Sequence, residues 1–204
     1  MPLTLAIETA TVVCSVALLD GNELVAERHE IVGRGHAERL LPMIAALPGN
    51  GRAASILVDC GPGSFTGVRV GLAAARALGL GWSASVGGFS SLALIAAAAP
   101  DEGTGTVAVA ISGGHGEIFV QRYSLRPLEP LGYLASLKPE AAAALVAEPI
   151  VIGSGAAALI AARGWGEARE GLPRAADITL LPAALAALPP RPIYGRAPDA
   201  KPQP

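Results

Sequence analysis

The segment Asp59-Cys60-Gly61-Pro62-Gly63-Ser64-Phe65-Thr66-Gly67-Val68-Arg69 restricts the fold of this chain more than any other stretch. An apolar run at 55–60 (SILVDC) leads into it, and a long apolar pattern at 66–82 follows. That arrangement reads as a buried strand turning directly into a helix, the unit from which α/β folds are built. Gly61 and Gly63 accept backbone angles that other residues resist, Pro62 stiffens the turn, and Ser64 or Thr66 is placed to cap the helix through its hydroxyl. The turn is short of a phosphate-binding loop. A Walker loop needs Gly-Lys-Ser/Thr and no lysine is present, while the dinucleotide pattern has its third glycine one place late. A structural strand-to-helix turn is the better reading.

The rest of the chain supplies matching elements. Residues 3–8 alternate, 12–19 form a second strand and 23–30 a third, joined by an Asp20-Gly21-Asn22 turn, so the chain opens with an antiparallel meander. A helix is predicted over 36–47, with Ala37, Leu40, Met43, Ile44 and Leu47 on one face and a kink or early break at Pro42. A third, alanine-rich helix is predicted over 88–99, and 101–105 read as a linker. Strands at 106–112, 117–123 and 128–135 then repeat the opening plan around a Gly113-Gly114-His115-Gly116 turn. Short helices at 140–147 and 155–163 flank a strand at 149–152, and a proline-rich tail from Pro189 runs extended over the surface. We therefore expect two lobes of one plan, at 1–103 and 104–204, the second poorer in helices.

Charge and cysteine usage limit the function. Fifteen Lys and Arg against 17 Asp and Glu leave a formal charge of −2, without the basic surplus of a protein that grips nucleic acid unaided. Cys14 and Cys60 lie far apart in no metal-ligand spacing and read as buried reduced thiols. The chain opens without a signal-peptide pattern, and its longest mild apolar run, 71–82, contains Arg76 and is too short to span a bilayer. A cytoplasmic, soluble protein is expected.

On the helix over 66–82, Gly67, Gly71, Ala74 and Leu78 fall on one face, where small side chains allow close packing. Arg69, Leu72, Ala73, Arg76 and Leu80 fall opposite. That second face is either solvated or a contact surface, and its mixture of arginine with aliphatic residues suits a protein interface.

These residues resemble the TsaB (YeaZ) family. The resemblance is carried by the glycine-proline-glycine turn at 61–67 with Val68-Arg69, by the opening LAIETAT with Cys14-Ser15-Val16-Ala17, and by the helix at 36–44 with Leu40-Leu41-Pro42. It is specific through residue 99, and Pro192-Ile193-Tyr194 before Arg196 adds to it. It implies an ASKHA-type α/β fold of two ribonuclease H-like lobes with mixed sheets and flanking helices. It also implies a non-catalytic subunit in the synthesis of tRNA threonylcarbamoyladenosine, supporting a TsaD-like transferase. A TsaE-like ATPase is a further partner, homodimers occur, and tRNA is met only through the complex. Carried onto this chain, the partner interface falls on His36, Leu40, Leu41 and Ile44 of the first helix and Arg69, Leu72, Ala73, Arg76 and Leu80 of the second.

Two positions depart from the family pattern. Glu8-Thr9 stands where an aspartate-threonine pair is usual, and in nucleotide-using relatives that acid helps hold Mg²⁺. Ser112-Gly113-Gly114-His115 replaces an aspartate-alanine-arginine stretch. Glu8, Thr9, Gly113 and Gly114 therefore mark a vestigial nucleotide cleft, no cofactor is expected on the isolated chain, and a nucleotide has its place at the partner interface.

The chain lacks an obvious catalytic set. His29, His36 and His115 form no i, i+4 metal pair, no Gly-x-Ser-x-Gly elbow is present, and Glu8, Asp59 and Glu117 are the acids that could line a cleft. The competing readings are a small-molecule kinase or ATPase of the same fold class, using Glu8 and the Gly113-Gly114 turn, and a glycoprotease.

Overall fold

Period-two alternation near the N-terminus builds the first sheet. The computed structural model describes residues 2–195. Strands β1 (Leu3–Glu8), β2 (Val13–Asp20) and β3 (Glu23–Ile31) form the antiparallel meander. After helix α1 (His36–Ala45), strand β4 (Ser55–Asp59) pairs parallel to β1. Helix α2 (Phe65–Trp82) returns the chain to β5 (Ser85–Phe89), parallel to β4, giving the order β3-β2-β1-β4-β5. Helix α3 (Ser91–Ala97) closes this half.

The second half repeats the plan. Strands β6 (Thr106–Ser112), β7 (Ile118–Leu125) and β8 (Leu128–Leu137) form a meander. Helix α4 (Pro139–Ala143) precedes β9 (Ile150–Ile152), and helix α5 (Ala156–Arg163) precedes β10 (Glu167–Arg169). The sheet order β10-β9-β6-β7-β8 is the first order with its elements renumbered. The architecture is thus the expected ASKHA-type pair of ribonuclease H-like lobes. The second sheet is as complete as the first, so the reduction of this lobe lies in its shorter helices.

Three apolar clusters order the layers. Leu5, Ile7, Val16 and Leu18 of the first sheet pack under α1 and α2. Ala108, Ala110, Ile118 and Val120 of the second sheet pack under α4 and α5. Between the sheets, Ala6, Ala17 and Leu19 meet Leu92 and Leu94 of α3, Val107, Val109 and Ile111 of β6, and Ala175 and Ile178 of a 3₁₀ turn at Ala175–Leu180. The two sheets share this central layer, so their inner faces bury apolar surface together.

Four details depart from the sequence reading. Residues 88–89, read as the start of the third helix, instead end the edge strand β5, whose alternation Gly87 and Gly88 hide. Helix α1 continues past Pro42 and stops at Ala45. Strand β10 and the 3₁₀ turn carry no clear periodicity in so short a length, and neither is anticipated. Ahead of the tail, Leu188 bridges to Gly88 on β5, with N to O distances of 2.7 and 2.9 Å, and the described part of the tail, 189–195, bends at Arg191, whose N–H donates to the Pro189 carbonyl at 2.8 Å. Arg196, the last residue of the C-terminal resemblance, lies outside the described residues. Both cysteines are buried and free, and among the described residues no helix is long and apolar enough to cross a membrane.

The shared layer predicts one cooperative transition for both sheets. Leu94 is fully buried in it, so Leu94→Ala should cost about 3 kcal/mol. In a urea titration read by far-ultraviolet circular dichroism, the midpoint should fall while the curve keeps a single step.

Candidate functional site

Strands β1 and β4 lie side by side in parallel, with Ile7 opposite Val58, so their C-terminal ends bring Glu8 and Asp59 together. Both carboxyls are completely buried. Glu8 Oε1 accepts the backbone N–H groups of Ala10 at 3.0 Å and Thr11 at 3.2 Å, and the Thr11 hydroxyl at 3.3 Å. Asp59 Oδ1 accepts the Gly61 N–H. Glu8 Oε2 and Asp59 Oδ2 have no hydrogen-bond partner, and the two buried carboxyls lie close enough for each to act on the other's ionisation. Two acids in that position hold a proton between them. Burial, with Asp59 adding to it, holds the Glu8 carboxyl well above the usual carboxylate range. Burial pushes Asp59 up to about 6.

Helix α2 packs on the loop that follows Glu8. The chain turns at Gly61, whose φ is +93°, through a cis Gly61-Pro62 bond. Ser64 caps the helix, its Oγ accepting the Gly67 N–H at 3.2 Å, so the capping role falls to Ser64. The Ser64 N–H donates to the Ala10 carbonyl at 2.6 Å, and the Thr9 hydroxyl donates to the Gly67 carbonyl at 2.8 Å. A Cβ at Gly63 would overlap the Ala10 carbonyl oxygen, one at Gly67 the Thr9 carbonyl oxygen, and one at Gly71 the Thr9 hydroxyl. The glycine face of α2 therefore lies directly on residues 9–10. Pro62 is itself buried, and its carbonyl accepts the Ser91 hydroxyl at 2.6 Å.

The cleft reading is corrected accordingly. Glu8 and Thr9 are completely buried and line no open cleft, and the glycines at 63, 67 and 71 let the helix and its turn come down onto Thr9 and Ala10. Gly113 is half-buried and Gly114 exposed, on the turn after β6. In the second lobe, the matching strand β6 ends at Ser112, and Ser154 follows shortly after β9. The Ser112 hydroxyl donates to the Ser154 carbonyl at 3.1 Å, and the Ser154 hydroxyl accepts the Ser112 N–H at 3.0 Å. Among the described residues, no group of three or more His, Cys, Asp or Glu comes together to hold a metal ion.

The predicted interface residues divide into two sets. Leu41, Arg69, Ala73, Arg76 and Leu80 are exposed, Leu80 at 87%. His36, Leu40, Ile44 and Leu72 are buried, and their assignment to an outer surface is corrected. Leu72 is 3% exposed: at 100° per residue it shares an arc with Val68, Ala75 and Gly79, turned into the cluster beneath α1 and α2. Leu40 and Ile44 face the same cluster. His36 anchors the start of α1, its Nε2 lying 2.9 Å from the Val13 carbonyl.

The sequence reading missed the ends of this ridge. Phe65 is 68% exposed, one turn before Arg69, and Ala77 is exposed beside Arg76. The three- and four-residue spacing could have found both. Tyr194 joins the ridge from the far end of the chain: its hydroxyl accepts from Arg69 Nη2 at 2.9 Å. No local pattern announces that contact.

Comparisons with known proteins agree with this geometry. The pattern of the family described as "TsaD: tRNA N6-adenosine threonylcarbamoyltransferase" matches residues 26–128. The chain is 38% identical over 125 residues to the tRNA threonylcarbamoyladenosine biosynthesis protein TsaB of Escherichia coli, a match covering 58% of this chain and 54% of that protein. It is 32% identical over 219 residues to an uncharacterized protein of Mycobacterium tuberculosis, covering 97% and 93%. A Mycobacterium leprae relative is matched over 57% of its length, so the chain spans little more than half of some curated relatives. The solved structure of YeaZ from Pseudomonas aeruginosa superposes with a TM-score of 0.78 at 30% identity, covering 95% of this chain and 100% of that one.

The buried acid pair makes a pH prediction. Its native pKa values lie above the unfolded ones, so the folded chain binds the extra proton. The pair's contribution is complete below the unfolded carboxylate values near pH 4 and is lost as pH rises through about 6 and beyond. In a Glu8→Gln variant, the amide can accept from Ala10 and Thr11 and donate to Asp59 without ionising. That variant should therefore keep its melting temperature better than the wild type as pH rises from 5 to 8. Parallel melting curves across that range would overturn the shared proton.

Proposed function

The chain belongs to the TsaB (YeaZ) family, and from that premise we propose that it is a non-catalytic subunit in the synthesis of tRNA threonylcarbamoyladenosine, binding and supporting a TsaD-like transferase. The observation that carries this reading is the exposed ridge of α2. Phe65, Ala73, Ala77 and Leu80 stand in water with Arg69 and Arg76 among them, on a helix whose other side is already committed to the protein's own core. A mixed apolar and arginine surface gains most when another protein covers it. Leu41 on α1 extends the same outer side of the lobe.

The sealed carboxyl pair supports the absence of catalysis. A kinase or ATPase on this fold would need Glu8 to reach a metal ion or a substrate, yet Glu8 is buried and commits one oxygen to its own loop. A glycoprotease would need an accessible nucleophile or a metal set, and among the described residues the exposed side chains offer no metal grouping of that kind. A nucleotide then belongs at the interface with the partner. A TsaE-like ATPase joins through the transferase, a homodimer uses the same ridge when the transferase is absent, and the site of action is the cytoplasm. With a formal charge of −2, the chain meets tRNA through the complex.

Leu80→Glu and Leu72→Glu separate surface from core. Leu80→Glu should keep the wild-type melting temperature and weaken binding to the purified transferase at least about a hundredfold, as expected for an interface anchor. Leu72→Glu buries a charge and should lose the fold. Undiminished binding of Leu80→Glu in a co-purification and calorimetric titration would move the interface elsewhere.

A further inference from the structure

The 3₁₀ turn at Ala175–Leu180 follows the second sheet in sequence, yet it rests on the inner face of the first, where Ala175 and Ile178 join the central layer. Two bonds hold its start. The Ala175 N–H donates to Ser15 Oγ at 3.0 Å in a buried contact, and Arg174 Nη2 donates to Glu27 Oε1. Strand register brings these anchors together. Ser15 lies opposite His29 and Ala17 opposite Glu27 across β2 and β3, so Glu27 and His29 stand on the face of the sheet that the turn covers.

Beside the two bonds are two atoms with nothing to bond. Glu27 Oε2 and His29 Nδ1 are both buried and have no hydrogen-bond partner. Their residues are two apart on one face of one strand, with about 7 Å between Cα atoms. A neutral imidazole that keeps its hydrogen on Nε2 tolerates this arrangement, because Nδ1 then carries only a lone pair. A second proton makes Nδ1 a buried donor, and a buried donor requires an acceptor. The free oxygen of Glu27 offers one.

The groups facing His29 come from each element packed there. Strand β3 supplies Glu27, the turn supplies Arg174 and Asp177, and β2 presents Ser15 and Ala17, which do not titrate. Burial, and then Arg174, hold the imidazole below its ordinary value of 6.5, against Glu27 and Asp177, which favour the charged ring. Burial raises the Asp177 carboxyl. The docked turn therefore binds the His29 proton more weakly than a released one does. This contribution to docking is complete above about pH 6.5 and is lost as pH falls through the lower native value.

We propose that His29 is a proton-operated release for this turn: its imidazolium donates from Nδ1 to the free oxygen of Glu27, draws that carboxylate from Arg174, and lets the segment 175–180 lift from the first sheet. The proton comes from water, and no covalent bond other than N–H changes. Two cations share one carboxylate at a cost, since Arg174 already opposes charge on the ring. The exchange replaces a pairing between two segments with one inside β3, so the turn gives way while the sheets keep their ladders. The inference concerns the chain alone and does not depend on the partner reading.

The test follows the Ala175 amide of the full chain by hydrogen exchange, at about pH 7.5 and about pH 5.5, corrected for the intrinsic effect of pH on exchange. Protection should fall about tenfold at the lower pH, as for a docked state that holds the proton about ten times more weakly. Amides within β1 and β6 should keep their protection, and the ring-nitrogen resonances of His29 should show Nδ1 gaining its proton over the same range. The fall should vanish in His29→Gln and survive in Asp177→Asn. Arg174→Gln should show low Ala175 protection at both pH values, with His29 protonated at a higher pH than in the wild type. Unchanged wild-type protection while His29 titrates would overturn the proposal, and this outcome decides the matter even where a variant does not fold. So would a fall that persists in His29→Gln, one that disappears in Asp177→Asn, or one shared by the amides of both sheets.

Discussion

The close approach of α2 to residues 9–10 is the contact on which the first lobe turns. Three glycines one helical turn apart place the helix backbone against the loop carbonyls, and any side chain at 63, 67 or 71 would hold it away. Beside that contact Glu8 and Asp59 are completely buried, and the carboxyls answer with raised pKa values. The same seating decides which side of α2 faces out, because an 18-residue helix fixed along one edge has no rotational freedom left. The buried acids and the exposed ridge are two consequences of one packing choice.

The two lobes repeat a plan but divide the work. In the first, the ends of β1 and β4 carry acids, whereas in the second β6 ends at Ser112, which is hydrogen-bonded to Ser154 in the loop after β9. The lobes are also tied together. The central cluster spans both sheets, the Ala175 N–H donates to Ser15 Oγ at 3.0 Å, and Arg174 pairs with Glu27 across the junction. A protein whose inter-sheet space is filled with leucine, valine and alanine is suited to present a fixed surface. It is poorly suited to open and close around a small molecule.

Much of this was legible in the sequence, and the rest was hidden for physical reasons. Repeated strand–turn–strand patterns marked both meanders, and the Gly-Pro-Gly turn placed the strand-to-helix junction. Strand β5 escaped because two of its five residues are glycines, which carry no alternation. Leu72 was misplaced because a two-faced view of α2 leaves no room for a flank: the helix packs on the sheet with one arc and beside α1 with the next, so the exposed arc is narrower than half the circumference. Glu8 was taken for a cleft residue because its place at a strand end says nothing about what covers it. The loop after it is met by glycines at 63, 67 and 71, far along the chain, a relation that no local period reports.

The strap at the chain's end obeys the same constraint. A proline-rich tail has little helical or sheet preference of its own, so its path is set by what it can bond to. It bonds to Gly88, Cys60, Arg69 and Arg76, all belonging to the first lobe's outer edge. Gly88 has to be glycine there, since a Cβ would meet the Cys60 sulfur. The residues that accommodate the strap thus lie in the same stretch that shapes α2 and its turn. A long excursion through a second lobe ends by arranging side chains on the first, where Tyr194 and the Pro190 carbonyl hold Arg69 and Arg76.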